Sequence, residues 1–286
     1  MHLAPPDYEE IRYRVARIKE LPPLIGSLAR FLEIIYDEIE SPEELKDLIG
    51  YDLALSAGIL CHANGSDYGM RGNVDTIAQA VRTIGFQSAK SVCAYTLLTQ
   101  LYDDKDTLEP GEKELFWKHN IVTSIMAREI ARRRPWISVE KAYVLGMLHD
   151  LGRLAMAMYL TDHYQLISTL GQKRSMPIWF IECQYGLSHT AIGKWIAVKW
   201  AYPEVLQRVI EFHHAPYQSP SFKFEVKLIF LANALANSKA YPEYLTDELT
   251  LSFLRELYIP EEEWQQTIEK GKEVWLQADA MWSLFK

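Results

Sequence analysis

Cysteine is scarce. The 286 residues hold three, Cys61, Cys93 and Cys183, far apart and odd in number. No CxxC spacing occurs, which excludes a disulfide framework and a thiolate zinc knuckle and fits a reducing cytosol. Positive charge is also in deficit: 30 Lys and Arg stand against 38 Asp and Glu, a formal net charge of -8. That is the wrong sign for a protein whose main task is to coat nucleic acid or an anionic membrane. Long apolar runs are missing too. The longest, AYVLGMLHDLGRLAMAM at 142–158, is broken by His149, Asp150 and Arg153, so no membrane span is expected. The opening MHLAPPDYEE carries charge and prolines where a signal peptide needs an apolar core, and a cytoplasmic location is the expectation. Low-complexity segments and clear repeats are absent, and strand signals are few.

What is present throughout is helical periodicity with caps. Ser41, Pro42 and Glu44 form a capping box for a helix that Gly50 stops. Helices are predicted at 52–63, 76–84 and 87–101, the first ending in the turn-rich NGSDYGMRGN. The charged stretch YDDKDTLEPGEKE reads as a linker. A long helix is predicted from Glu112 to Arg134, and Ser138 caps the next, which carries His149 and Asp150 in its interior. Further helices are expected near 161–172, 177–185, 189–201, 203–214, 222–239, 246–257 and 261–284. The pattern predicts an all-α, multi-helix bundle in two lobes: an N-terminal lobe at 1–101, a linker at 102–112, a second lobe at 113–240 and a C-terminal helical cap at 241–286.

A buried, unpaired carboxylate costs several kcal/mol, so Asp150 raises the question of its partner. His119 shares a helix stripe with Thr123, Met126 and Ile130 and should point inward; His149 shares one with Leu145, Gly152 and Met156. Asp150 lies beside Gly146, where a small residue lets another helix approach, His189 opens a helix, and His213 and His214 end one. Imidazoles and carboxylates are usual ligands for Zn, Mn or Fe, and helical bundles can bring them together. The plainer alternative is a set of hydrogen-bonded core residues, with Asp150 satisfied by Arg153 one turn on or by another buried cation. His2, His62 and His163 show no arrangement and read as surface or turn residues. Arg128, Arg132, Arg133 and Arg134 cluster at one helix end, where solvated cations complement the helix dipole and nucleic-acid binding is not expected.

The ordered run LPPL (21–24), SPEELKDLIGYDLALSAGILCHANGSDYG, TIAQAVRTIG, FWKHN (116–120), GMLHDLGRL, ECQYGLSHTAIGKWIAVKWAYP and EFHHAP resembles the HDOD domain, across roughly residues 18–240. That resemblance implies an all-helical bacterial module related to HD and HD-GYP phosphohydrolases and used in signal transduction and regulation. It implies His119 as the first histidine and His149-Asp150 as the eponymous pair. His189 and His213, with His214 beside them, match positions that complete a two-metal site in the HD-GYP relatives. Glu182 is similar to an upstream carboxylate there, and Arg153 stands where those relatives have lysine, as an anion-binding fork. Two departures count against catalysis: Asn233 replaces the expected final Asp, and HHAPYQSPS takes the place of the GYP segment. Leu53 and Gly65 replace a usual proline and serine, which affects turn geometry more than chemistry.

The expectation is therefore a non-catalytic regulatory module that acts by binding a partner or small ligand. Its degenerate metal site works with or without a divalent ion, whether Mn, Fe, Zn or Mg. The partner is expected to be a signalling protein, from a two-component or cyclic-nucleotide system, with neither membrane nor nucleic acid involved. No receiver or cyclase segment is recognisable, so the signal is expected from another protein or from a segment outside this sequence. The alternative is a metal-dependent phosphohydrolase in which Asp150 bridges two ions and Arg153 stabilises phosphoryl charge. Trp264, Trp275 and Trp282 mark the C-terminal helices as a cap or as an oligomer contact.

Overall fold

The computed structural model describes residues 6–17, 45–46, 49, 53–64, 74–86, 88–90, 92–93, 96, 110–199 and 202–283. Every regular element among them is helical. The α-helices are α1 (Tyr8–Ala16), α2 (Leu53–Ala63), α3 (Ile77–Ile84), α4 (Pro110–Ala131), α5 (Val139–Leu148), α6 (Leu151–Tyr159) and α7 (Thr161–Arg174). They continue as α8 (Ile178–Tyr185), α9 (His189–Lys199), α10 (Glu204–Phe212), α11 (Lys223–Asn237), α12 (Glu248–Glu256) and α13 (Glu261–Ser283). No described helix is long and apolar enough to cross a membrane. The LPPL segment, the cap at Ser41, Pro42 and Glu44, most of the linker, Gly65 and His2 lie outside the described residues, as do the side chains of Leu53, Cys61 and Trp282.

Local chemistry sets the ends. Thr76 accepts a bond from the Gln79 amide at 3.2 Å to start α3, and Ser138 accepts from Lys141 at 3.1 Å to start α5. Gly186, at φ 82, closes α8 in the left-handed conformation, its amide bonding the Glu182 carbonyl at 2.7 Å. The long helix α4 packs along α5, α11 and α13, while α9 lies between α6 and α10. Helix α1 does not stay with its sequence neighbours. Arg14 donates to the Tyr159 carbonyl at 2.9 Å and Lys199 to the Ala16 carbonyl at 2.7 Å, fastening α1 against the second half of the chain.

Four expectations need correction. The helix predicted to run through His149 and Asp150 is broken there: α5 stops at Leu148 and α6 starts at Leu151, with Asp150 at φ -95, ψ 17 between them. Consecutive side chains on a straight helix diverge by about 100°, and the break lets both polar groups face one interior point. Helix α4 begins at Pro110, inside the expected linker, because proline suits a first turn whose amides lack acceptors anyway. His163 is no idle surface residue; its Nδ1 lies 2.7 Å from the Tyr185 hydroxyl. Arg134 is buried rather than solvated and pairs with Glu263 at 2.8 Å, tying α4 to α13.

Candidate metal centre

Two glycines make the centre possible. A Cβ on Gly146 would stand 2.8 Å from the Ser124 Cα and 2.9 Å from the Thr123 carbonyl, so its absence lets α4, with His119, lie against α5. A Cβ on Gly152 would stand 1.9 Å from the His189 carbonyl oxygen, so α9 docks on α6 with His189 beside Asp150. Helix α10 ends at His213 and delivers the double histidine from a third side. The residues predicted to converge do so: His119, His149, Asp150, His189 and His213 are all buried, and His214 is half-buried beside them.

Asp150 is the hub. Its Oδ1 lies 3.2 Å from His189 Nε2, 3.5 Å from His213 Nε2 and 3.7 Å from His149 Nε2. Its Oδ2 lies 3.7 Å from His119 Nε2 and accepts from Arg153 Nη1 at 3.0 Å. The Nε2 atoms of His119 and His149 are 3.3 Å apart, as are those of His189 and His213. The donors form two groups, His119–His149–Asp150 and Asp150–His189–His213–His214, each with one ligand atom per residue within 4.8 Å of the others. Asp150 belongs to both.

Each inner imidazole is oriented from behind. His149 Nδ1 faces the Gly146 carbonyl at 2.7 Å, and His213 Nδ1 faces the Val209 and Ile210 carbonyls at 3.1 Å each. A carbonyl only accepts, so Nδ1 carries the hydrogen and Nε2 turns its lone pair inward. His189 is held by Glu182, whose Oε2 accepts from both its Nδ1 at 2.5 Å and its backbone amide at 3.1 Å. This carboxylate-imidazole pairing is the usual support behind a metal-ligating histidine. Glu182 therefore stands behind a candidate ligand rather than among the donor groups.

Charge follows from the same geometry. Burial pulls His119 down to about 4 against the opposing pull of Asp150, and burial holds His149 and His214 well below the ordinary imidazole range. Burial would lower His189 too, but Glu182 and Asp150 outweigh it and raise that ring to about 9. Burial would raise Asp150, yet His149, Arg153 and the bonds from His189 and His213 hold its carboxyl well below its usual value. At neutral pH, with no ion bound, an imidazolium at His189 thus lies between two carboxylates while the other shifted rings keep their lone pairs. Nitrogen-rich donor sets of this kind suit Zn, Fe, Ni or Cu better than Mg. The residues fit a transition-metal ion.

The centre opens on a cavity of about 720 Å³ whose lining includes His119, Asp150, Arg153, His189, His214 and Asn233. Asn233, which the family resemblance implies in place of a final Asp, lines this cavity, and its Oδ1 accepts from Asn237 Nδ2 at 2.7 Å. Arg153 packs its guanidinium 4.9 Å from the Phe116 ring centre and pairs with Asp150, while its buried Nε has no acceptor among the described residues. Sequence reasoning missed Trp179, which stacks on His214 with ring centres 5.3 Å apart, and Asn237. Asn237 was readable as the residue one turn beyond Asn233; nothing in the sequence pointed to Trp179.

Comparison with known proteins agrees with this architecture. A model of the HDOD domain matches residues 21–216. A protein of Treponema pallidum (strain Nichols), of uncharacterised function, is 22% identical over 220 residues, 76% of this chain and 42% of that protein; the chain spans less than half of its relative. A crystal structure of an HDOD domain protein of unknown function from Geobacter sulfurreducens superposes with a TM-score of 0.78 at 19% identity, over 96% of this chain and 98% of the other. One from Marinobacter aquaeolei VT8, provisionally named a signal transduction protein, gives 0.76 at 19% identity over 96% and 64%. One from Shewanella amazonensis SB2B, provisionally named a phosphohydrolase, gives 0.66 at 20% over 94% and 97%. At these identities the likeness is one of fold.

Proposed function

The chain belongs to the HDOD domain family, and from that membership we propose that it is a regulatory module in signal transduction, binding an anionic ligand or partner group at a metal centre that does not hydrolyse phosphoesters. The centre holds a transition-metal ion through the His/Asp cluster. Arg153, which lines the cavity, offers the incoming anion a planar cation beside the centre.

The observation that carries this reading is the state of the carboxylates. Among the described residues Asp150 alone supplies a carboxylate to the donor groups, and one of its oxygens is already neutralised by Arg153 at 3.0 Å. The position that would supply another holds Asn233, whose carbonyl is engaged by Asn237. Two-metal hydrolysis needs anionic ligands to offset two dications while both activate water and clamp phosphate. The test is hydrolysis of bis(p-nitrophenyl) phosphate by protein loaded with Mn, Fe or Zn. Turnover no greater than that of Asp150→Asn supports a binding module; metal-dependent turnover that vanishes in Asp150→Asn overturns it.

One observation favours the phosphohydrolase alternative: Asp150 is shared by both donor groups, as a bridging carboxylate would be. The same assay decides between the two.

A further inference from the structure

The two donor groups around Asp150 are not equivalent. Zinc-like ions bind histidine and carboxylate at about 2.0–2.2 Å, so the donors of a tetrahedral site are spaced by about 3.4 Å. On the His189 side the separations are 3.2 Å from His189 to Asp150, 3.5 Å from His213 to Asp150 and 3.3 Å between the imidazoles. Both imidazoles approach the same oxygen of Asp150, Oδ1. His214 supplies the fourth donor of that group, and its ring is fixed by Trp179. Both His189 and His213 are backed by acceptors on Nδ1.

The His119 side has the same 3.3 Å spacing between its two imidazoles but differs around Asp150. His119 and His149 approach different oxygens of Asp150, each at 3.7 Å. The oxygen nearer His119 is the one that accepts from the Arg153 guanidinium, so an ion placed there would meet a fixed positive charge. Asn233, which lines the same cavity as His119, offers a neutral amide already bonded to Asn237 rather than a carboxylate. Among the described residues no carbonyl backs the His119 ring as Gly146 backs His149.

We propose that the chain binds a single transition-metal ion, through Asp150 Oδ1, His189, His213 and His214, while the His119 side keeps Arg153 in place of a second ion. The proposal rests on the reading of the cluster as a metal centre and adds which half is filled. The single site has three neutral nitrogen donors and one carboxylate, which selects Zn or Co over Mg or Mn. The ion and Arg153 then flank Asp150 as two cations of different kind, a metal on one side and a planar fork on the other.

The test uses the full chain, stripped with chelator and titrated with Zn and with Co alone. One ion per chain is expected, with the strong visible absorption of four-coordinate Co(II). His214→Ala should weaken Zn binding by about 100-fold or more and change the cobalt spectrum, whereas His119→Ala should shift affinity by no more than about 3-fold and leave the spectrum intact. Two ions of similar affinity, the weak spectrum of six-coordinate Co(II), or equal losses in the two variants would overturn the one-sided site while leaving a metal centre standing. If neither Zn nor Co binds, both this inference and the metal-centre reading fall. The stoichiometry and spectrum of the unaltered chain decide the matter even if a variant does not fold.

Discussion

Gly152 and His189 are in such close contact that a single Cβ on the glycine would lie 1.9 Å from the His189 carbonyl oxygen. Backbone cannot yield there as a flexible side chain would, so α6 and α9 must separate. Gly152→Ala is expected to destabilise the protein by about 3 kcal/mol or more, read from the urea midpoint. Zinc affinity should fall with it, because His189 rides on the displaced helix. An alanine variant as stable as the parent would show that the two helices do not meet as described.

Glu182 accepts twice from His189, at its ring and at its amide. Glu182→Gln keeps the shape and removes the charge, so the ring should lose basicity and orientation together. Zinc affinity is expected to drop by about 10-fold, with little change in helical content by circular dichroism. Equilibrium zinc titration checks it; unchanged affinity would reduce Glu182 to a packing residue.

Proton linkage in the metal-stripped protein runs in two directions. His189 is raised from 6.5 to about 9, so its contribution to stability is complete below pH 6.5 and is lost as pH climbs through about 9. His119 is lowered from 6.5 to about 4; its buried neutral ring withdraws stability as pH falls from 6.5 toward 4. The melting temperature of chelated protein should therefore peak near neutrality and decline on both sides, with about 1.4 kcal/mol lost per pH unit for each proton involved. Scanning fluorimetry across pH 4–10 checks this, and Glu182→Gln should flatten the alkaline decline.

Asn233 lines the same cavity as His119. Asn233→Asp returns a carboxylate to the poorer half of the centre and should admit a second ion, moving the zinc content from one toward two per chain by elemental analysis. A content that stays at one would mean that Arg153, rather than the missing charge, keeps that half closed.

Much of this was legible in the chain itself, because helical stripes and caps are local. Thr123, Met126 and Ile130 are buried on the His119 stripe as the periodicity requires, and the ends of α7 to α13 fall within a few residues of their predicted places. The convergence of His119, His149, Asp150, His189 and His213 followed from family motifs together with Gly146 as a point of close approach. The rest depends on tertiary contact. Nothing local marks the break between α5 and α6, since the apolar run continues across it. Arg134 and His163 looked solvated because their partners, Glu263 and Tyr185, lie 129 and 22 residues away. The docking of α1 on the second half is likewise a long-range contact.

Everything proposed for this protein turns on a metal ion held by Asp150 and the surrounding imidazoles. Crystals of the full chain grown with zinc, with an anomalous difference map recorded at the zinc edge, test it most directly. One strong peak is expected beside Asp150 Oδ1, enclosed by His189, His213 and His214. A map with no peak within bonding reach of Asp150 would contradict it.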